Sequence, residues 1–383
     1  MHYLFHRTPG EEEGCQTDAP RHYWMDFADA AAVIDAIRPD RLLFMALDGA
    51  WAIALNAVAR RRGIPTFVLG HGHLDADAEN VPLTVKGSLA QGSPLPAVRF
   101  VHRSLGMGRL LATMRTMRFM ADARRIGERE AMHRHRFEER MPKYYVALSP
   151  DNAEVYRRRD QAPATRVACI GLPEHDRLFG RVPPGNPAEG AVLLVDSPTA
   201  ENRWDETTTT IDEKVAFLRS LDQAAGALGR PLRVKLHPET YQAGWLPNLA
   251  HGTYLRDADL VAEFETAAIC VGFDSTLMIP AVWLRPTVLI RLRPYSVIDI
   301  AAETGAAVVA SSMEAVDAEL LESARLLFCD STEGRKAYSR RLAFKTDGHA
   351  IDRLRSVIDD PEAALRRYSL AVAEGQTDGC GAN

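Results

Sequence analysis

Two short apolar segments in the second half of the chain end in polar side chains that could hold a phosphate group. The first runs into His237 and Pro238, and the second into Asp274, Ser275 and Thr276. If both segments are parallel strands, their polar residues lie together at the edge of the sheet formed by the carboxyl ends of the strands. Open α/β folds bind ligands at this edge. A histidine that is a cation or a hydrogen-bond donor, with hydroxyls and free N–H groups at a helix start, favours a nucleotide or nucleotide-sugar.

Lys235, Asp196 and Ser197 are further candidates for this nucleotide site. Lys235 precedes His237 by two residues, so an extended strand would place both side chains on one face. Asp196 and Ser197 directly follow an apolar stretch, although the same residues also suit a surface loop. The alternatives for the two motifs are a plain strand stop at His237 and a helix N-cap at 275–276. Capping is itself compatible with phosphate binding.

Candidates for a catalytic base lie in the first half of the chain. Asp48 follows the apolar segment 41–47, and His71 and His73 follow the apolar segment 64–69. A carboxylate or imidazole at these neighbouring strand ends could take the proton of an acceptor hydroxyl in an inverting displacement. The alternative for Asp48 is that it caps the helix that begins near residue 50.

The elements that would position these residues alternate between strands and helices. In the first half, the pattern predicts strands at 41–47, 64–69, 144–148 and 166–170. Helices are predicted at 29–37 and 51–62, and Gly63 suits the C-terminal cap of the second. This alternation indicates βαβ units, hence parallel strands with right-handed crossovers.

The second half repeats the same rhythm after a turn-rich segment at 183–190. Strands are predicted at 191–195, 232–236, 269–271 and 287–290, and an amphipathic helix at 211–228. Proline and glycine punctuate such boundaries. The sequence therefore predicts an α/β protein with two Rossmann-like domains, 1–185 and 186–383. It leaves open whether the last helix crosses back to the first domain.

Composition narrows the class of protein. A length of 383 residues suggests two domains, and 46% hydrophobic with 25% charged residues is typical of a globular chain. A net charge of −5 argues against bulk nucleic-acid binding. No apolar run reaches the roughly 18 residues of a membrane span, and the N-terminus lacks signal-peptide order. Five scattered cysteines without CxxC spacing fit a reducing cytoplasm and no zinc site.

The segment 99–143 is strongly basic. It contains twelve Lys and Arg against five Asp and Glu, within a helical pattern rich in Met and Leu. One interpretation is a solvated helix face that packs its apolar side chains on the domain. The other is a face that contacts an anionic membrane surface or an anionic acceptor.

The two motifs carry a family resemblance. His237-Pro238 resembles the HP motif of bacterial sialyltransferases and of the glycerophosphotransferases that make wall teichoic acid. Asp274-Ser275-Thr276 resembles the paired-hydroxyl motif of the same enzymes. Two Rossmann-like halves with phosphate features in the second resemble the GT-B class of glycosyltransferases, whose two domains face each other across a cleft. The resemblance implies that 1–185 is the acceptor domain and 186–383 is the donor domain.

Further stretches add to this resemblance. Residues 169–176 resemble the Gly-x-Pro-x-x-Asp stretch that precedes the second domain of such enzymes, which makes Gly171 a nucleotide-site candidate. The stretch 284–288 resembles their Gly-x-Pro-Val segment, with Arg285 where glycine is common, and His71-Gly72 resembles a strand-end His-Gly of capsule and teichoic-acid transferases. The sialyltransferases also carry an acid-acid-Gly motif. Here only Glu12-Glu13-Gly14 matches it, in a polar stretch, so the identity of the base is open.

The resemblance implies a cytoplasmic transferase, peripheral at the inner membrane face if the basic segment binds lipid. Its co-substrate would be a nucleotide-activated sugar, CMP- or CDP-linked, or a CDP-linked polyol phosphate. No metal and no other cofactor is expected, because fixed donors would neutralise the leaving phosphate. The acceptor would be a glycan or lipid-linked precursor of capsule, lipopolysaccharide or teichoic-type polymer. The alternatives are an enzyme similar to UDP-sugar 2-epimerases and a GT-B-shaped binding protein without catalysis.

Overall fold

The fold is that of a computed structural model of the chain. The residues that the structure describes are 2–5, 18–70, 95–105, 110–200, 209–241, 243–292 and 296–370. The strands are β1 (Tyr3–Phe5), β2 (Arg21–Tyr23), β3 (Leu42–Phe44), β4 (Thr66–Leu69), β5 (Tyr144–Ala147), β6 (Val167–Cys169), β7 (Ala191–Val195), β8 (Leu232–Lys235), β9 (Gly252–Leu255), β10 (Ala267–Gly272), β11 (Thr287–Ile290) and β12 (Val308–Ala310).

Helices occur between almost all of these strands and after the last one. They are α1 (Ala30–Ile37), α2 (Ala50–Arg61), α3 (Leu95–Leu105), α4 (Leu110–Ile126), α5 (Glu128–Arg134), α6 (Pro150–Asp160), α7 (Asp176–Arg181), α8 (Ile211–Ala227), α9 (Leu260–Thr266), α10 (Met278–Leu284), α11 (Ser296–Thr304), α12 (Ala318–Asp330), α13 (Thr332–Leu342), α14 (Ala350–Asp359) and α15 (Pro361–Tyr368). Short 3-10 turns lie among them, one of them at Pro238–Thr240.

Two parallel sheets organise the chain. The first has the strand order β3-β4-β5-β6, and the second has the order β12-β11-β10-β7-β8-β9. Every pair in both sheets is parallel. The predicted α/β class with two Rossmann-like units is therefore confirmed. A small parallel pair, β1 with β2, lies outside both sheets.

The first sheet follows the predicted alternation, with one strand shorter than expected. The Asp29 side chain caps α1 by accepting a hydrogen bond from Ala32 N–H at 2.8 Å. Helix α2 is buried over most of its length, as its nearly continuous apolar sequence requires. Strand β3 ends at Phe44, because only 42–44 pair with β4 and the chain then turns towards α2.

The basic segment forms three helices rather than one. Helices α3 and α4 are separate, and Gly127, with a φ of 86°, lies between α4 and α5. This left-handed conformation suits glycine and interrupts the helix. None of the helices in the described part of the chain combines the length and apolar character that a membrane crossing requires.

The second sheet is buried on both faces. Val192 and Leu194 of β7 belong to one apolar cluster, whereas Leu193 and Val195 belong to another. This alternation is the period of two expected of a strand. Helix α8 covers the first of these faces and begins with a capping box between Thr210 and Glu213.

The C-terminal helices pack against the first sheet. Tyr144 Oη of β5 donates a hydrogen bond to Glu362 Oε1 at 2.6 Å, and Arg41 donates to the carbonyl of Asp359 at 2.8 Å. One apolar cluster contains Val146 of β5 together with Val195 of β7. Along the chain, the segment 183–190 follows β6, the last strand of the first sheet, and precedes β7, the first strand of the second sheet. The division at 185 and 186 stays a prediction.

Candidate functional site

The second sheet has its topological switch point between β7 and β10. From β7 the chain proceeds to β8 and β9 on one side of the sheet, and it then crosses to β10 on the other side. Ligands of open α/β sheets bind in the crevice at such a point. The strand order places Asp196 and Ser197 after β7, His237 after β8 and 274–276 after β10. Three neighbouring strand ends thus bring these predicted residues to one sheet edge.

His237 is held in one tautomer. Its backbone N–H donates to Asp196 Oδ2 at 3.2 Å, and its ring Nδ1 accepts from Glu239 N–H at 3.3 Å. Burial lowers the pKa of His237, and the nearby Lys235 and Lys214 act in the same direction, against Glu239 and Asp196. A neutral ring that accepts at Nδ1 carries its proton on Nε2. His237 is therefore a hydrogen-bond donor at neutral pH rather than the cation that the sequence also allowed.

The 3-10 turn after β8 explains why His237 precedes a proline. Pro238 occupies the first position of this turn, where the missing N–H of proline needs no partner. The His237 side chain caps the same turn through Glu239 N–H. The motif is therefore a strand stop that also fixes the orientation of the imidazole, and its role in phosphate binding stays a prediction.

Asp196 forms a buried ion pair with Lys214 of α8. Asp196 Oδ1 lies 2.9 Å from Lys214 Nζ, and both side chains are 2% exposed. Lys214 also donates to the carbonyl of Ser197 at 2.8 Å and lies over the ring of Trp245. The Asp196 carboxylate is thus committed to Lys214 and to the N–H of His237. This corrects the expectation of direct donor contact, since Asp196 instead positions the ends of β7 and β8.

Lys214 was missed by the sequence reasoning. It lies on the buried stripe of α8 with Phe217, Leu218 and Leu221, where an apolar side chain is expected. A lysine within such a stripe is a signal, because lysine is almost never fully buried unless it is paired. Asp196 at the end of the neighbouring strand is the partner that this signal requires.

Lys235 is the last residue of β8. It pairs in register with Val195, so its side chain lies on the face of the sheet opposite Asp196. Burial lowers the pKa of Lys235, and the charge of Asp196 opposes this shift. Lys235 remains a half-buried amine close to the sheet edge, able to assist His237.

The hydroxyl motif after β10 has a different geometry from the one expected. Ser275 Oγ accepts from Leu277 N–H at 3.3 Å, while the N–H groups of Met278 and Ile279 donate to the carbonyls of Ser275 and Thr276. The helix start therefore offers fewer free N–H groups than predicted, because the turn uses them internally. The Ser275 and Thr276 hydroxyls, both on partly exposed residues beside Asp274, are available as hydrogen-bond donors.

Gly171 has a structural role in the folded protein. Its φ is 96°, and an added Cβ would lie 3.0 Å from Arg353 Nη2 and 3.1 Å from Ala350 Cβ. Arg353 Nε also donates to the carbonyl of Ile170 at 2.6 Å. Gly171 is buried beneath this C-terminal segment, so packing explains the glycine. We therefore remove it from the nucleotide site.

The first sheet positions only part of the predicted acceptor site. Asp48 is half-buried after β3, and Gly49 occupies the N-cap position of α2, so the capping alternative for Asp48 is wrong. Strand β4 is the neighbour of β3, as the interpretation requires. His71 and His73, and the Glu12-Glu13-Gly14 match, lie outside the described residues.

The described residues offer hydrogen-bond donors rather than a metal site. No group of three or more His, Cys, Asp or Glu within the described ranges could hold a metal ion. The edge of the second sheet instead carries the imidazole of His237, the amine of Lys235 and the hydroxyls of Ser275 and Thr276. Such fixed donors can neutralise the charge that develops on a phosphate leaving group.

The sequence matches no protein-family model and no curated protein. Three solved structures align with most of this chain. The glycotransferase of kitacinnamycin is 18% identical (TM-score 0.44, covering 88% of this chain and 78% of its own). SnogD from Streptomyces nogalater, a glycosyltransferase, is 15% identical (0.45, 85% and 75%). The wall teichoic acid polymerase TagF is 11% identical (0.42, 87% and 93%). Likenesses this distant do not assign an activity.

Proposed function

We propose that the protein is a metal-independent glycosyltransferase that binds the nucleotide of its activated donor at the switch point of the second sheet. The observation that carries this proposal is the arrangement of His237. Its ring is neutral, anchored at Nδ1 and presented at the sheet edge where α/β folds bind ligands. The buried Asp196–Lys214 pair fixes the two strand ends beside it.

The chemistry follows from this arrangement. The Nε2–H of His237 donates to a phosphate oxygen of the nucleotide, and Lys235 supplies positive charge from the same strand. The hydroxyls of Ser275 and Thr276 donate from the end of β10, on the other side of β7. These groups stabilise the nucleotide phosphate as the bond to the transferred group breaks. No proton needs to leave His237 in this step.

The acceptor is activated from the first domain, across a cleft between the two domains. Asp48 at the end of β3 is our first candidate for the base, and His71 or His73 after β4 is the second. The base removes the proton of the acceptor hydroxyl as the oxygen attacks the donor carbon, and the nucleotide phosphate departs. Transfer of a polyol phosphate would use the same groups, with attack at phosphorus.

The donor and acceptor classes rest on the family resemblance. The HP and Ser-Thr motifs favour a CMP- or CDP-linked donor, and the acceptor would be a surface glycan or its lipid-linked precursor. Such a reaction belongs on the cytoplasmic side of the membrane, where activated donors are made.

A donor screen tests the proposed reaction. The purified protein is incubated with CMP-, CDP- and UDP-activated donors in the presence of EDTA, and release of free nucleotide is measured. Asp48→Asn is expected to lower kcat by about a hundredfold or more. Asp35→Asn removes a carboxylate that pairs with the exposed Arg62 at the surface, and it serves as the matched control. Full activity of Asp48→Asn would move the base to His71 or His73.

We also propose that the basic segment docks on an anionic membrane surface. Leu110, Leu111 and Met114, in the first turns of α4, are all more than half exposed. The exposed Arg115 and Arg118 follow on the same helix. Apolar side chains flanked by arginines are typical of helices that lie in a lipid interface.

Vesicle sedimentation tests this docking. We expect the protein to bind vesicles of phosphatidylglycerol and phosphatidylcholine, and to bind less at high salt. Leu111→Ser with Met114→Ser should weaken binding about tenfold. Leu326→Ser is the control, because Leu326 on α12 is as exposed as Leu111, at 67% against 68%. Equal binding to neutral and anionic vesicles, or no binding, would contradict the proposal.

A further inference from the structure

An open cavity of about 350 Å³ lies away from the edge of the second sheet. It is formed by the last turn of α10, by one side of α13 and by the segment 344–347. None of the lining residues belongs to the proposed nucleotide site. Its volume is at the lower end of the range for small-molecule sites, which fits a single sugar unit better than a complete nucleotide-sugar.

The cavity carries excess positive charge. Lys336, Arg340 and Lys345 line it, and all three are exposed residues. Asp347 is the one lining carboxylate, and it is paired with Arg353 Nη1 at 2.8 Å. Lys336 also pairs with Glu333, whose side chain is 80% exposed, so this surface pair binds weakly. The charges therefore favour an anionic ligand.

Two aromatic side chains line the same cavity. Trp283 is partly buried at the end of α10, and Phe344 follows the C-terminal cap of α13. Phe344 has a φ of 59°, a left-handed conformation that is unusual for a bulky residue and that glycine commonly adopts after a helix. Lys345 Nζ and Arg353 Cζ lie over the Phe344 ring, 5.4 Å and 5.9 Å from its centroid, so the apolar contact area for the body of a ligand is chiefly that of Trp283.

A buried hydroxyl completes the cavity wall. Ser339 lines the cavity and is 5% exposed, and its Oγ has no hydrogen-bond partner among the residues that the structure describes. Buried hydroxyls are normally satisfied. This Oγ is itself almost inaccessible, so bonding to a ligand oxygen requires the Ser339 side chain to turn towards the cavity. Thr346 is a second hydroxyl residue of the lining.

We propose that this cavity binds a phosphorylated sugar or polyol unit. The phosphate contacts Arg340 and Lys345, the carbon skeleton lies against Trp283 and Phe344, and the hydroxyls of the ligand bond to Ser339. The unit is either a free sugar phosphate or part of a phosphodiester-linked glycan, because both present the same groups. This binding does not depend on the proposed transferase activity.

Calorimetric titration tests the cavity with four probes: glucose 1-phosphate, glycerophosphoglycerol, glucose and inorganic phosphate. We expect the intact protein to bind at least one of the first two more tightly than glucose or phosphate alone, because only these engage both cations and aromatic faces. Binding of the monoester alone assigns a free sugar phosphate, and binding of the diester assigns a glycan unit. No binding of either organic phosphate at millimolar concentration would overturn the proposal.

Matched variants locate the binding. Arg340→Gln with Lys345→Gln should weaken it about tenfold or more, because charge-assisted hydrogen bonds are lost. Arg355→Gln with Arg366→Gln removes two exposed arginines outside the cavity and should leave it unchanged. All four positions are exposed, so folding is expected to survive, and thermal melting verifies it. Equal weakening by both double variants would overturn the assignment.

Nucleotide titration of the same variants separates the two proposals. The cavity variants should bind nucleotide as the unaltered protein does, and His237→Ala should keep its affinity for the sugar phosphate. Absence of nucleotide binding by the unaltered protein, with sugar-phosphate binding intact, would count against the donor site and leave the cavity in place. Absence of sugar-phosphate binding by the unaltered protein, with nucleotide binding intact, would overturn the cavity proposal and leave the donor site in place.

Discussion

The side chains of Asp196 and Lys214 are almost inaccessible to water and lie 2.9 Å apart. Removing one member leaves the other as an uncompensated buried charge. We therefore expect Lys214→Met to lower the free energy of unfolding by about 3–5 kcal/mol. Adding Asp196→Asn to this variant should recover much of the loss, since no buried charge then remains. Urea denaturation measures both.

A surface pair provides the comparison for this prediction. Arg134 and Glu130 form an i, i+4 pair on α5 in which both side chains are about half exposed. Arg134→Met should cost less than about 1 kcal/mol. A similarly small effect of Lys214→Met would show that the buried pair does not hold the ends of β7 and β8 together.

The buried His175 should make the stability of the protein depend on pH. Burial lowers the pKa of His175 to about 4, and its ring nitrogens make no hydrogen bond within the described part of the chain. The unfolded chain therefore takes up a proton near pH 6.5 while the folded protein does not. Stability is full above this pH and falls as the pH drops towards the folded pKa.

Replacing His175 should remove this loss of stability at low pH. Between about pH 7 and about pH 4.5, the free energy of unfolding should fall for both proteins. The fall should be about 2–3 kcal/mol smaller for His175→Phe than for the unaltered protein. Denaturant unfolding at several pH values measures the difference. Parallel curves for the two proteins would mean that His175 is accessible to protons in the folded state.

Residue identities in the candidate site were partly predictable. The sequence indicates His237, Asp196 and the residues 274–276 because each follows an apolar strand. The tautomer of His237 was not predictable, since it depends on the N–H of Glu239. The internal bonding of Ser275 depends likewise on local turn geometry rather than on residue type.

At the scale of secondary-structure elements, Gly171 tests the correction to the nucleotide site. Gly171→Ala would place a Cβ against Arg353 and Ala350, in a backbone conformation that disfavours alanine. Gly63→Ala is the matched control, because Gly63 also has a positive φ but has no atom within 4 Å of the added Cβ. We expect Gly63→Ala to cost about 1–2 kcal/mol from backbone strain alone, and Gly171→Ala to cost more.

The stabilities of the two glycine variants and the nucleotide affinity of Gly171→Ala together decide whether Gly171 belongs to the nucleotide site. Thermal and urea unfolding give the two stabilities, and calorimetry on the folded Gly171→Ala protein gives its nucleotide affinity. We expect that affinity to equal the affinity of the unaltered protein. A selective loss of nucleotide binding with unchanged stability would return Gly171 to the site.

The elements with the strongest apolar patterns were the most predictable. Strands β7 and β11 have the predicted ends, because each is a short apolar run between turn signals. Strands β9 and β12 were not predicted, since both are edge strands with partly exposed residues and a weak pattern. The predicted long basic helix is divided, because an apolar period does not reveal where a helix is interrupted.

At the scale of the whole molecule, the two sheets and their order account for the candidate site. The sequence predicts two α/β halves, since the alternation of strands and helices is local. The sequence left open whether the last helix crosses back to the first domain, and in the structure α15 contacts the first sheet; the shared apolar cluster was not predicted. Both arise from residues far apart in the chain, such as Tyr144 with Glu362, and no local pattern encodes such pairs.

The central claim is that the switch point of the second sheet binds a nucleotide through His237 without a metal. Isothermal titration calorimetry with CMP, CDP, UDP and GDP in EDTA tests it directly, with His133→Ala, an exposed histidine on α5, as control. We expect micromolar binding of a cytidine nucleotide that His237→Ala weakens at least about tenfold, or about 1.4 kcal/mol. Selective binding of UDP or GDP would keep the site and change the donor class. Absence of binding by all four nucleotides would contradict the proposed function.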